Sequence, residues 1–207
     1  MNKPEITIDL NLSNRDGKLF AVKSEGSYFL VLEADTFHNA ETFLGMGSTE
    51  YVEITEGAFN ALTNQHALES SLVMIDRAYQ MAYRAHKGQF RRDGVTPYIR
   101  HPEDVVKRVG SDPIAIAVAW LHDVLEDSSF TLNDLLERGF PPEVVEAVYI
   151  LTHDRAVKYE DYIAIIAKHL VARKVKIADI ISNLNDKPTD NQIEKYARAL
   201  LYFSENP

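Results

Sequence analysis

Residues 112–127 read Asp112-Pro113-Ile-Ala-Ile-Ala-Val-Ala-Trp120-Leu-His122-Asp123-Val-Leu-Glu126-Asp127. Asp112-Pro113 opens a helix, since proline suits a first helical turn. The run that follows, 114–121, is apolar all round. A helix without a polar face is surrounded by other helices, so this stretch predicts the central helix of a bundle. Its end differs in kind. At 100° per residue, His122 and Glu126 share one face, as do Asp123 and Asp127. Four ionisable groups therefore converge at the end of a buried helix. Like charges at that density repel, and a bound divalent cation is the simplest agent to offset them. The competing reading is an exposed acidic helix end. Carboxylates at the negative end of the macrodipole cost stability, which tilts the balance toward a metal.

Working outward, the pattern stays helical to the C-terminus and back to about residue 66. One long helix is expected over 67–87, stopping at Gly88. His101-Pro102-Glu103-Asp104 starts the next, with proline in the first turn and two acids at the positive end of the dipole; Gly110 ends it. Thr131 caps a short helix that stops near Gly139, and Pro141-Pro142 begins one running through Leu151. Residues 159–169 and 172–185 read as two helices or one continuous one, and 191–203 as the last. Residues 1–65 have another texture. Ile6, Ile8, Leu10 and Leu12 alternate with polar residues, 18–23 and 27–34 are further strand-like runs around a Ser-Glu-Gly-Ser turn, and 49–55 is a fourth. Short helices are expected near 36–44 and 56–64. The predicted architecture is mainly α, a helical bundle over 66–207 preceded by a small β-rich (α+β) region over 1–65 of unassigned role.

Bulk composition narrows the chemistry. The chain has 207 residues and a net charge of -9, a poor fit to non-specific nucleic-acid binding. No apolar run approaches a membrane span, and the N-terminus lacks a signal-peptide core, so a cytoplasmic location is expected. With no cysteine, disulfides, zinc-thiolate sites and cysteine nucleophiles are excluded together. Residues 84–108 run against the general charge: seven Lys/Arg face three acids there. A local basic segment in an acidic protein suits a small anionic ligand better than a long polyanion, although a solvated helix face reads equally well on composition alone. Homo-oligomerisation is left open.

Two other segments join the central stretch. Val175-Lys176-Ile-Ala-Asp179-Ile-Ile-Ser-Asn183 places one acid inside an apolar helical run, and aspartate is rarely buried without a partner. Asn183 lies on the same face. His101 stands at a helix start. Alone each is weak; together, His101, His122, Asp123 and Asp179 are a mixed N/O set of the kind that suits Mn²⁺, Fe²⁺ or Zn²⁺ rather than a calcium cage. Such a set leaves an octahedral ion open positions for water and substrate. His38, His66, His153 and His169 have no partner pattern, and His86 reads as structural. The Gly45-Met-Gly47 segment lacks a third glycine, and no Walker loop or GxSxG element occurs.

The motifs taken in order resemble a known family. Ala85-His-Lys-Gly88-Gln89-Phe-Arg91-Arg92-Asp-Gly94-Val-Thr-Pro97-Tyr98-Ile-Arg-His101-Pro102 is similar to the opening motif of the HD-domain (p)ppGpp hydrolases of the RelA/SpoT type. The stretch from Leu121 to Asp127, followed by Thr131, resembles their HD…ED motif, and Val175 to Asn183 their last motif. The likeness covers residues 68–203 and leaves no room for synthetase or regulatory domains, so the chain looks like a small alarmone hydrolase. The resemblance implies that His101, His122, Asp123 and Asp179 bind a metal, usually Mn²⁺, and that Glu126 and Asp127 position or activate water. It further implies substrate contacts from Arg91, Arg92, Lys176 and Asn183, and release of pyrophosphate from the 3′ position of (p)ppGpp to give GDP or GTP. The chain departs from the pattern at Ile180, where many members carry a basic residue, at Ser182, which replaces a common His or Tyr, and by one extra residue within Val95-Thr96, which the short animal-type members share. Alternatives are a related hydrolase of another nucleotide (NADPH, an adenosine alarmone or a nucleoside monophosphate) and a nucleotide sensor without catalysis.

Overall fold

The period-two pattern at the N-terminus forms a four-stranded antiparallel meander, and the helical pattern after it forms a bundle. A computed structural model describes residues 6–9, 18–24, 26–33 and 50–206. The chain divides into two units, Met1–Ser71 and Leu72–Pro207. In the first, β1 (Ile6–Asp9), β2 (Lys18–Ser24), β3 (Ser27–Glu33) and β4 (Glu50–Ile54) pair in sequence order. Ser24 stands opposite Ser27, and Gly26 turns the chain at φ 82, a left-handed value that glycine adopts without a Cβ clash. Residues 10–12 of the first strand-like run and the helix expected near 36–44 lie outside the described residues.

Helix α1 (Glu56–Ala85) is one element where the sequence pattern suggests two. No glycine or proline lies between positions 58 and 87, so nothing stops the first segment before the second begins. The boundary between the units falls inside this helix. Its C-terminal half buries Met74, Ala78, Met81 and Ala82, a single stripe at helical spacing.

The helical unit continues through α2 (Arg100–Val106), α3 (Pro113–Leu121), α4 (Val124–Asp127), α5 (Leu132–Glu137), α6 (Pro142–Leu151), α7 (Tyr159–Ala167), α8 (Leu170–Leu184) and α9 (Asp190–Glu205). As its apolar sequence requires, α3 is central: it packs against α2, α6 and α8. Ala115, Ala117, Val118, Ala119 and Leu121 are fully buried. Three of those five are alanines, and small side chains let neighbouring helices approach closely. The start of α2, the end of α3 and the middle of α8 consequently meet at one place. Among the described residues, no helix is long and apolar enough to cross a membrane.

The central helix does not run unbroken to Asp127. It stops at Leu121, and α4 begins at Val124. Asp123 sits at φ -101, ψ -4, in the bridge region between helix and strand. The local cause is a side chain: His122 Nδ1 lies 2.8 Å from the Ala119 carbonyl, the acceptor that the Asp123 N–H would use in a continuing helix.

Candidate metal centre

Four side chains converge where those helices meet. His101 comes from the first turn of α2, His122 from the end of α3, Asp123 from the break before α4, and Asp179 from α8. His101, His122 and Asp179 are buried. The two imidazole Nε2 atoms lie 3.3 Å apart. Asp123 Oδ2 is 3.2 Å from His122 Nε2 and 3.5 Å from His101 Nε2, and Asp179 Oδ1 is 3.0 Å from His101 Nε2 and 3.8 Å from His122 Nε2. His101, His122 and Asp123 offer ligand atoms all within 4.8 Å of one another, close enough to hold one metal ion.

The hydrogen bonds behind the rings fix which nitrogen faces inward. His122 Nδ1–H donates to the Ala119 carbonyl, which leaves Nε2 with its lone pair. Ser182 Oγ donates to Asp104 Oδ2 at 3.3 Å and so accepts from His101 Nδ1–H at 3.2 Å. The His101 Nε2 lone pair therefore also points into the centre. Two imidazole Nε2 atoms and two carboxylate oxygens face one another, so a cation placed between them would meet four possible ligand atoms. Ligands about 2.1 Å from a transition ion stand roughly 3.0 to 3.4 Å apart in cis or tetrahedral positions; the pairs at 3.0, 3.2 and 3.3 Å match this and those at 3.5 and 3.8 Å are wider. The donor set fits a divalent ion.

Charge balance supports that fit. Burial disfavours the Asp179 anion, yet Lys176 and the two histidines outweigh it and hold the carboxyl far below the usual range. Burial likewise works against Asp123, but His122 and His101 keep it ionised. His122 is pulled down by burial and pushed up more strongly by Asp123 and Asp179, to about 9. In the absence of an ion, the centre recruits a proton as its positive charge. Tyr98 donates its hydroxyl to Asp123 Oδ2 at 2.8 Å; burial and Asp123 push its phenol well above the usual range, so it stays a donor.

The acidic pair stands at the rim. Glu126 and Asp127 lie on α4 with exposed side chains, and partial burial of the carboxyls, reinforced by Asp123, raises both above their ordinary values. Glu126 Oε1 accepts the backbone N–H of His153 at 2.7 Å. The Asp127 carbonyl accepts from Gln89 Nε2 at 2.7 Å, and Gln89 Oε1 faces His86 Nδ1 at 2.8 Å. His86 and His153, read as uninvolved, thus brace the two acids through Gln89 and through a backbone amide. Gln89 and Tyr98 escaped sequence reasoning as well. The one available signal was their place in the polar loop just before His101.

The expected substrate contacts are placed as follows. Lys176 Nζ is 2.9 Å from Asp179 Oδ2, and Asn183 Nδ2 donates to Asp179 Oδ1 at 2.6 Å, so both hold the Asp179 carboxylate. Arg91 forms an ion pair with Asp186 at 2.6 Å. Arg92 is exposed and reaches the carbonyls of Asp186 and Lys187 at 3.4 and 3.3 Å. The basic loop is tied in this way to the turn between α8 and α9.

No family model matches the chain. It is 34% identical over 127 residues to a GTP pyrophosphokinase of Streptomyces coelicolor, covering 56% of this chain and 15% of that protein. It is 38% identical over 99 residues to a guanosine-3′,5′-bis(diphosphate) 3′-pyrophosphohydrolase of Aquifex aeolicus, covering 46% and 13%, and 33% identical over 107 residues to the bifunctional (p)ppGpp synthase/hydrolase SpoT of Escherichia coli, covering 50% and 15%. The chain therefore spans only a small part of these curated relatives. Among solved structures it is similar to a metazoan ortholog of SpoT described as hydrolysing ppGpp, with 27% identity and a TM-score of 0.52 over 63% of this chain and 82% of that one.

Proposed function

We propose that this chain, a relative of the RelA/SpoT-type hydrolases, hydrolyses (p)ppGpp and releases the 3′-pyrophosphate as its product. The observation that carries the reading is the inward convergence of four lone-pair donors from His101, His122, Asp123 and Asp179, with two carboxylates of raised pKa on the adjoining turn. The relatives' names supply the substrate. A divalent ion, Mn²⁺ in this reading, supplies positive charge for phosphoryl oxygens and lowers the pKa of water.

The chain's own groups account for the rest. Glu126 or Asp127 takes a proton from water as its oxygen adds to the phosphorus attached to the ribose 3′ oxygen. The bond from that phosphorus to the 3′ oxygen breaks. The carboxyl returns the proton it took to the departing 3′ oxygen, so the ribose is left with a 3′ hydroxyl and pyrophosphate is released. A carboxylate whose pKa is raised toward neutrality accepts a proton better than an ordinary one. Arg92, exposed and held only by backbone carbonyls, has donors left to meet substrate phosphate, and Arg91 holds the loop in place through Asp186. A cytoplasmic location suits this reaction.

The test is a substrate panel on the full chain loaded with Mn²⁺, scored by product. GDP and pyrophosphate from ppGpp are expected. Intact ppGpp beside orthophosphate released from another nucleotide would falsify the alarmone assignment while leaving the hydrolytic centre standing.

A further inference from the structure

His101 is held at both ring nitrogens by one helix. Asp179 and Ser182, three residues apart on α8, share a face: Asp179 Oδ1 lies 3.0 Å from Nε2, and Ser182 Oγ lies 3.2 Å from Nδ1. Ser182 is only 1% exposed, and it is one of the positions where the sequence departs from the motif it otherwise resembles. Behind it stands Asp104 of α2, whose Oδ2 is 3.3 Å from Ser182 Oγ and 3.0 Å from Arg108 Nη1. Ser182 and Asp104 belong neither to the four proposed ligands nor to the acidic pair.

A neutral imidazole carries one N–H, and two carboxylates compete for its position. Asp179 draws the proton to Nε2 directly. Asp104 draws it to Nδ1 through Ser182. An ionised carboxylate only accepts, so the Ser182 hydroxyl hydrogen turns toward Asp104 and its lone pair toward His101 Nδ1–H. Burial works against the Asp104 anion, but the Arg108 ion pair and the Ser182 hydroxyl outweigh it. The outcome of this competition decides whether His101 can act as a ligand. A proton on Nε2 would occupy the lone pair that faces the centre and engage Asp179 Oδ1 in the same hydrogen bond, so two ligand atoms would be lost together. His122 faces no such competition at Nδ1, because its partner there is the backbone carbonyl of Ala119 at 2.8 Å.

We infer that Ser182 and Asp104 are positioning residues that hold the His101 proton on Nδ1 and so keep Nε2 ready for the ion. Hydrogen bonds to the outer nitrogen fix the tautomer and ring orientation of metal-ligating histidines in this way. The inference rests on the four-ligand centre of the proposed function, not on the identity of the nucleotide.

Mn²⁺ affinity of the full chain can be read from the free-ion signal in electron paramagnetic resonance. Ser182→Ala should bind about 10–100-fold more weakly than wild type, and Asp104→Ala about tenfold more weakly. The double variant should be no weaker than Ser182→Ala alone, because Asp104 acts through the hydroxyl. A second readout separates proton placement from packing. In the metal-free chain, long-range ¹H–¹⁵N correlation should find the His101 proton on Nδ1 in wild type and moved toward Nε2 in Ser182→Ala. Three results overturn the inference while the metal centre stands: both single variants within about twofold of wild type, fully additive losses in the double variant, or an unchanged tautomer in Ser182→Ala. Wild-type protein that binds no Mn²⁺ would remove the centre and this positioning role with it.

Discussion

At the scale of single residues, the proposed centre separates side chains that would hold an ion from side chains that would move a proton. Replacing Glu126 with Gln or Asp127 with Asn keeps the shape and removes a proton acceptor. Loss of a positioned general base typically costs about 10²–10⁴-fold. Turnover of ppGpp should fall by that order in at least one of the two variants, with bound metal per chain unchanged by elemental analysis. Near-wild-type rates in both would remove the pair from the chemistry. The convergence of His101, His122, Asp123 and Asp179 was legible because ionisable residues in apolar helices demand a partner wherever they occur. Gln89 was not legible, because a neutral amide in a polar loop carries no such demand; its role comes from the distance to Asp127, which only folding sets. Gln89→Leu loses that bond and leaves the Asp127 carbonyl unbraced. It should lower kcat about tenfold with KM nearly constant, and a KM effect without a kcat effect would show that Gln89 acts on binding instead.

At the scale of elements, apolar periodicity identified the central helix, and turn chemistry found most of the boundaries. Thr131 and Thr189 each cap a helix in a reciprocal box, with Asp134 and Gln192 respectively returning the bond. Thr131→Ala removes an acceptor for the Asp134 N–H, and a lost N-cap costs about 1 kcal/mol. A corresponding drop in unfolding free energy, measured by denaturant titration, is the expected outcome; no change would mean that tertiary packing alone fixes α5. The break between α3 and α4 was not readable in the same way. Residues 120–127 contain neither glycine nor proline, and the interruption comes from the His122 ring taking the Ala119 carbonyl. That break shapes the proposed centre, since it brings Asp123 to the histidines while leaving Glu126 and Asp127 exposed. The fusion of two expected helices into α1 has the opposite origin: a long segment without a stop signal simply continued.

At the scale of the whole molecule, the stability of the helical unit is tied to the charge of its centre, because α2, α3 and α8 meet at His101, His122, Asp123 and Asp179. His122 in the ion-free protein has its pKa raised from 6.5 to about 9. A raised folded-state value means that the folded chain holds the proton more tightly than the unfolded chain. The stabilisation is fully present below pH 6.5 and is lost as pH climbs through 9. Asp123 and Asp179, held far below the ordinary aspartate range, stabilise the fold above about pH 4 and lose that contribution only in acid. Ion-free protein should therefore be most stable in mildly acidic solution and weaken steadily from pH 6.5 to 9. A divalent ion takes the place of the proton. Its affinity should rise about tenfold per pH unit over that same interval, as expected where one proton competes for the site. Excess Mn²⁺ stabilises only the folded state by mass action, and its tightening with pH offsets the lost proton, so the loaded protein should hold its stability where the free protein loses it. Denaturant unfolding at pH 6, 7.5 and 9, with chelator and with Mn²⁺, measures both slopes. A falling slope with chelator and a nearly flat one with Mn²⁺ are expected. Parallel slopes would mean that proton and metal do not share a site, and the four-ligand centre would have to be abandoned.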